Sequence, residues 1–300
     1  MFVKLHSRSE LHLPKANFPS INFPFHSPIC LLYFSFCFII KKNENFHIIE
    51  DCMIQDLHAH TYYSFCSKDK PEKVIETAVL GGVQQLGICD HNYGVGCART
   101  EFCWDQGAKL NADYGLTLQR YYDHINCLRE KYRNRIKILC GIEICTLKSK
   151  DSYALPHGAD VSFFDFCLIE NLDHPMSITN GDIFAYAKRC GCPTGIAHTD
   201  MFAFIRSIGE EPYRYFRRMA EAGIFWEINV NYDSLHNFKT HDYVTEFFKN
   251  KEQQAIVKKS GVRLSVGFDG HIAAEYKAAK VQSACKLIKD MGIHLVFEGK

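Results

Sequence analysis

Neither sign of charge dominates this chain. It has 35 lysines and arginines against 34 aspartates and glutamates, a formal net charge of +1. That balance excludes a broad nucleic-acid-binding face and an acidic solvating tail, while leaving room for local basic pockets. A membrane-length apolar run is missing as well. Ile29 to Ile40 (ICLLYFSFCFII) is an apolar stretch of twelve residues, too short to span a bilayer. Bulky aromatics fill it and Lys41 and Lys42 follow it, so it offers no small-residue cleavage site of a secretory signal. Paired thiolates of the zinc-finger type are also absent. There are fourteen cysteines, but the one close pair, Cys190-Gly191-Cys192, lacks a second half. Cys89, Cys140 and Cys167 sit inside apolar runs, where cysteine behaves as a small hydrophobe. A reducing, cytoplasmic setting is the expectation.

What is present suffices for a substantial core: 300 residues, 47% of them hydrophobic, suit one large domain or two small ones. Residues 1–28 hold four prolines and show no periodicity. Residues 1–52 are read as an irregular, poorly ordered extension, an upstream start ahead of a natural beginning at Met53; a membrane-anchored start is the competing reading. Residues 53–300 are read as the functional domain.

From Met53 onward, short apolar runs alternate with helical stretches. The expected strands are 53–58, 85–89, 136–142, 164–169, 194–198, 224–229 and 262–267. Helices are expected near 71–80, 117–133, 180–190, 210–222, 240–259 and 275–290. Pro71 suits a first helical turn, and Gly191, Gly223, Gly261 and Gly292 suit helix ends. No helix is expected between 143 and 164, which reads as a long loop. This alternation implies parallel strands with crossover helices. About seven strands could close into a distorted βα barrel, with functional groups gathered where strands end. An open doubly wound sheet is the alternative.

Polar residues fall at those strand ends. The first strand ends in His58 and His60, the second in Asp90 and His91, the third in Glu143. The fourth is followed by His174, and the fifth ends in His198. The sixth carries Glu227 and Asn229, the seventh Asp269 and His271. A lone HxH is weak evidence, since side chains at i and i+2 share a side of any strand. Its recurrence at one end of successive strands is the signal. Imidazoles and carboxylates without thiolate pairs suit zinc, manganese or iron. The ligands exceed the needs of one tetrahedral ion, so two or three divalent ions per chain are expected, with Glu143 bridging. Such ions polarise a phosphoryl oxygen and lower the pKa of bound water, which points to hydrolysis.

The ordered set HxH, DH, GIE, H, AHxD, EIN and FDGH resembles the PHP family, named for polymerase and histidinol phosphatase, over roughly residues 53–290. The resemblance implies a distorted seven-stranded (β/α)7 barrel, a di- or trinuclear centre and phosphoester hydrolysis by metal-bound hydroxide. By motif, His58, His60, Glu143 and Asp269 would hold the first ion, and His91 with the shared Glu143 the second. His174, His198 and His271 would complete the centre, and Asp269, His271 and His174 would carry the chemistry. Three positions depart from the family pattern. Cys66 stands six residues after His60, where the family often has Asp or His, and is expected to ligate in its place, with Asp69 as the alternative. His174 lies farther from its strand than the usual S-V-H arrangement. Phe268 replaces the small polar residue of the common SDAH.

Asp56, Asp90 and Asp200 lie near ligand histidines and could orient an imidazole through its other nitrogen, or be ordinary strand-end residues. Asn229, Arg206 and Arg99 are the candidates for holding a phosphate substrate. His124, His157, His236 and His241 are assigned no role. The expected activity is metal-dependent hydrolysis of a phosphate monoester of a small metabolite, histidinol phosphate being the first to test. A phosphotyrosine phosphatase or nucleotide phosphoesterase shares that chemistry, and a non-catalytic metal-binding module is the rival class. An amidohydrolase-like enzyme is disfavoured because no lysine falls at a strand end.

Overall fold

The computed structural model describes residues 52–97, 110–147, 154–179 and 181–299. Expectations for residues 1–51 and for Arg99 lie outside the described residues. Seven parallel strands hydrogen-bond in chain order: β1 (Gln55–Ala59), β2 (Gln85–His91), β3 (Lys137–Cys145), β4 (Phe166–Glu170), β5 (Thr194–Ile196), β6 (Ile224–Asn229) and β7 (Leu264–Gly267). The first and last meet at one end. His60 N–H donates to Gly270 O at 2.9 Å, and Asp269 N–H donates to His58 O at 2.7 Å. The sheet is a nearly closed barrel, not an open doubly wound sheet.

Helices α1 (Pro71–Leu80), α2 (Asn92–Val95), α3 (Tyr114–Tyr132), α4 (Ile183–Cys190), α5 (Met201–Ser207), α6 (Pro212–Glu221), α7 (Asp242–Lys249), α8 (Lys251–Ser260) and α9 (Ala278–Asp290) connect the strands. The helix expected over 240–259 is two. Asn250 leaves the helical region at φ −89° and ψ 100°, and its side chain caps α8 by accepting from the N–H groups of Glu252 and Gln253. Between β3 and β4 no helix forms among the described residues, so the long loop stands there. None of the described helices is long and apolar enough to cross a membrane.

Alternation along the strands sorts side chains into two apolar layers. Outward residues such as Ile88, Ile142, Ile169, Trp226 and Val266 pack under the helices in the main core. Inward residues Leu139, Phe166, Leu168 and Phe225 form a second cluster with Val296 and Phe297, plugging the barrel near the strand starts. Gly141 faces the Phe166 ring and Gly195 the Phe225 ring, where any Cβ would overlap them. Strand β1 breaks the alternation. Its register against β2 shifts between Asp56 and Ala59, and Leu57 joins the interior plug while Ala59 joins the outer core. Such a bulge re-aims side chains near a site, and here it lies beside His58.

Candidate metal centre

Above the plug, the inward column turns polar. His58, His60, Glu143, Glu227, Asn229, His91, Glu170, Asp269 and His271 are all buried, and none exceeds 9% exposure. Hydrogen bonds assign the imidazole tautomers. His58 Nδ1 lies 2.8 Å from Glu227 Oε1, which can only accept. His60 Nδ1 lies 2.9 Å from Ser64 Oγ, and that hydroxyl donates to Asp90 Oδ1 at 2.5 Å. Both rings thus carry a proton on Nδ1 and turn Nε2 towards the cavity, and those two Nε2 atoms are 3.0 Å apart. Two facing lone pairs require a cation or an added proton between them. Asp269 Oδ1 completes the group, 3.1 Å from His60 Nε2 and 3.6 Å from His58 Nε2. Two ligands at roughly 2.0 Å from one tetrahedral zinc would be about 3.3 Å apart, so these spacings fit a shared ion.

Glu143 stands between ligand sets. Its Oε1 is 3.3 Å from His58 Nε2 and 3.1 Å from His198 Nε2. Its Oε2 is 2.7 Å from His91 Nδ1 and 3.4 Å from His60 Nε2. That last oxygen and His91 Nδ1 are nevertheless both without a hydrogen-bond partner, because the two are not aligned for one. Buried polar atoms are ordinarily satisfied. Orphans among imidazoles and carboxylates fit a divalent cation, and so does the surplus of buried acids. The side chains of His60, Cys66, His91 and His271 form a second group close enough to share an ion.

Charge shifts follow from this crowding. Burial alone would raise the Glu143 carboxyl, yet His58, His91 and His198 hold it well below the usual range. Asp269 is likewise lowered, with His58, His236 and His60 outweighing burial. Burial would neutralise His58, but Glu227, Glu143 and Asp269 raise it well above its ordinary value. Burial would push the Cys66 thiol up, while hydrogen bonds with His271 and His91 bring it down to about 7.

The structure thus brings together His58, His60, Cys66, His91, Glu143, His198, Asp269 and His271. It does not bring His174 there. That residue is exposed in the turn after β4, its Nδ1 accepting from Met176 N–H at 3.1 Å and its own N–H bonded to Asn171 O. Asp69 is also elsewhere, bound to Lys73 and to Ala273 N–H. Arg206 is exposed in the last turn of α5. Asn229 is buried, its amide donating to Glu227 at 3.0 Å and to Asp269 at 3.4 Å.

Of the two readings left open for Asp56, Asp90 and Asp200, the geometry favours ordinary backbone and side-chain bonding over direct orientation of an imidazole. Asp56 bonds the backbone N–H groups of His58 and Phe268 and the Tyr276 hydroxyl, not an imidazole. Glu227 holds the His58 ring instead. Asp90 reaches His60 only through Ser64, and Asp200 caps α5 by accepting from Ala203 N–H. Two residues at the centre were missed. Glu170, the last residue of β4, lies 3.4 Å from His91 Nδ1. His236 places Nε2 3.3 Å from Asp269 Oδ2 and Nδ1 2.7 Å from Asp233 Oδ1. The strand-end rule itself could have found Glu170. Nothing in the local pattern marks His236, which lies on a short turn beyond β6.

A nearly closed barrel of seven parallel strands, with imidazoles and carboxylates crowded where the strands end, defines a βα barrel with a candidate polynuclear metal site. The PHP domain family matches residues 56–295, and the chain belongs to that family. Among characterised proteins, a histidinol-phosphatase of Lactococcus lactis subsp. lactis (strain IL1403) is 26% identical over 89 residues. That match spans 30% of this chain and only 28% of the relative. Among solved structures, histidinol phosphate phosphatase from the same organism, complexed with zinc, L-histidinol and phosphate, superposes with a TM-score of 0.50. It is 20% identical, and the alignment covers 81% of this chain and 95% of that one, which establishes the shared fold.

Proposed function

We propose that the chain is a metal-dependent phosphatase acting on the phosphate monoester of a small metabolite, with L-histidinol phosphate as the first candidate. The observation that carries this reading is the facing pair of His58 and His60 Nε2 atoms, 3.0 Å apart beside Asp269 and the bridging Glu143. Family membership and the Lactococcus relatives, named for histidinol phosphate, support the substrate class.

His58, His60, Asp269 and Glu143 would hold one ion, His91 would hold a second near the other carboxylate oxygen of Glu143, and Cys66 and His271 would hold a third. Bound ions supply polarisation of a phosphoryl oxygen and a water of lowered pKa. The protein's own part is to fix the geometry. Glu227 and Ser64 lock the two imidazole tautomers, and such partners typically change metal affinity by about 10–100-fold. His236, itself held by Asp233, and the Asn229 amide orient Asp269 through its Oδ2. The buried plug beneath closes the barrel floor to water. We further propose that residues 53–300 are the catalytic domain and that the protein works in the cytoplasm.

The purified chain should hydrolyse p-nitrophenyl phosphate and L-histidinol phosphate. Chelation should stop turnover and manganese or zinc restore it. Replacing His58 and His60 together with alanine should abolish activity with or without added metal. If the metal-loaded protein cleaves no phosphate ester across a metabolite panel, the non-catalytic binding module becomes the correct reading.

A further inference from the structure

Glu170 was given no role by the motif pattern, which assigns the fourth strand's ligand to His174. The register places it among the ligands. Phe166, Leu168 and Glu170 share one side of β4, and the first two point into the plug, so the third points into the barrel above them. Glu143 pairs with Leu168 and Cys145 with Glu170, so Glu170 lies one step beyond the Glu143 level, on the adjacent strand. Its backbone is pinned there by the Thr146 hydroxyl, which donates to Glu170 O at 2.8 Å.

Glu170 as a whole is 7% exposed, and its Oε1 has no hydrogen-bond partner. Leaving such an atom unsatisfied costs free energy that a folded protein rarely tolerates. The atom nearest to it in the charge network, His91 Nδ1 at 3.4 Å, is equally orphaned, and so is Glu143 Oε2. Two buried carboxylate oxygens thus lie within 3.4 Å of one ring nitrogen, His91 Nδ1, without a hydrogen bond among the three, so a positive charge is needed at this point, from a proton or from a metal ion. His91, Glu143 and Glu170 are close enough together to share one ion. His174 offers nothing comparable, being exposed and engaged with Met176 N–H.

We propose that Glu170 is the metal ligand contributed by β4, completing a position with His91 and Glu143 and taking the place expected for His174. The proposal rests on the metalloenzyme reading above and extends it. A carboxylate where a neutral imidazole was expected makes that position more anionic and harder. Hard oxygen ligands suit manganese or magnesium better than a thiolate-rich set does. The position that includes Glu170 should therefore favour manganese relative to the one that includes Cys66.

The test is ion stoichiometry and affinity, measured without turnover. Wild type, Glu170→Gln, Glu170→Asp and His174→Ala are loaded with manganese, desalted and analysed for ions per chain, then titrated against a chelating dye. Circular dichroism melts of the metal-free forms report folding, and the near-isosteric Gln variant guards against collapse of the site. Glu170→Gln should lose one ion per chain, or bind one at least about tenfold more weakly. Glu170→Asp should recover part of the loss, and His174→Ala should keep the wild-type count. Anomalous diffraction from manganese-soaked crystals should place an ion on Glu170 Oε1. The proposal is overturned if Glu170→Gln keeps wild-type stoichiometry and affinity, or if the ion is lost from His174→Ala instead. In either case the metalloenzyme reading survives. Wild type that takes up no ion at all would sink both, an outcome readily told apart from the others.

Discussion

The floor and the mouth of this barrel are built from the same strands and obey opposite rules. On β4, Phe166 fills the floor and Glu170 stands at the mouth; on β6 the neighbours are Phe225 and Glu227; on β3 they are Leu139 and Glu143. Each pair shares an inward column, separated by two or four residues. The floor is self-sufficient: aromatic rings meet one another and the glycines make room for them. The mouth is not. It leaves Glu143 Oε2, Glu170 Oε1 and His91 Nδ1 without hydrogen bonds, while Glu227, Ser64 and Asp90 behind the ring of ligand candidates are hydrogen-bonded. Orphaned atoms occur around the strand starts too, but there they are neutral, on the Gln55 and Gln85 amides and the Ser265 hydroxyl; at the mouth they are carboxylate oxygens and an imidazole nitrogen, the groups a cation would satisfy.

The largest test breaks the floor. Phe166→Ala should cost about 3–5 kcal/mol of stability, the usual range for deleting a buried aromatic. If the two layers are separate, divalent metal should still raise the melting temperature of the variant. A ligand at 1,000 times its dissociation constant adds roughly 4 kcal/mol. The same metal should give no such rise when His58 and His60 are both alanine. Loss of the metal response in Phe166→Ala would show that floor and mouth form one cooperative unit.

A second substitution reaches the boundary between layers. A Cβ at position 267 would overlap Glu227 Oε1 and lie 2.7 Å from His58 Cβ. Gly267→Ala should therefore destabilise the fold by about 1–3 kcal/mol through overpacking. It should also weaken metal binding by displacing Glu227 from His58 Nδ1. Unchanged affinity, measured by chelator competition, would mean that Glu227 does not position His58.

Much of this was legible in advance because the strands and helices carry strong local signals. Helix α1 starts at Pro71 and ends at Leu80, as its proline and periodicity predict, and each expected strand overlaps an observed one. Convergence was legible too, since parallel strands bring their ends together whatever the distance along the chain. What escaped has physical causes. Glu170 escaped because the expected strand stops at 169, one residue short of the observed end of β4, and His174 was taken as that strand's polar end instead. The bulge in β1 changes which side chains face inward without altering composition. His236 arrives through a loop, where no period applies. The exchange of roles between Asp56 and Glu227 turns on which carboxylate the register sets beside His58 Nδ1, and register is a tertiary property.

A smaller effect is expected behind the imidazoles of the candidate metal centre. Ser64 Oγ donates to Asp90 and accepts from the His60 ring and from His91 N–H at 3.0 Å. Ser64→Ala removes all three bonds and frees the His60 tautomer. Metal affinity should fall by about 10–100-fold. Ser64→Thr, which keeps the hydroxyl, should retain more of it if the methyl is accommodated. Equal affinity in wild type and Ser64→Ala, by the same chelator competition, would remove Ser64 from the scheme.

The smallest effect separates a cap from an orienting carboxylate. Asp200 lies two residues beyond His198, close enough in sequence to have been considered as a partner of its ring. The structure uses it otherwise: its Oδ1 accepts from Ala203 N–H at 2.9 Å at the start of α5. The His198 ring instead meets Glu143, and its backbone N–H donates to Glu227 Oε2 at 2.8 Å. That last bond holds a residue with φ of 23°, an uncommon conformation for a side-chain-bearing residue and one concentrated at functional sites. Asp200→Ala should therefore cost about 1 kcal/mol of stability, as loss of an N-cap does, with metal affinity unaltered. Asp200→Asn, which can still cap, should restore most of the stability. If the alanine variant instead loses an ion while its melting temperature holds, Asp200 belongs with Glu227 and Ser64, and the division between scaffold and site lies one residue further along the chain.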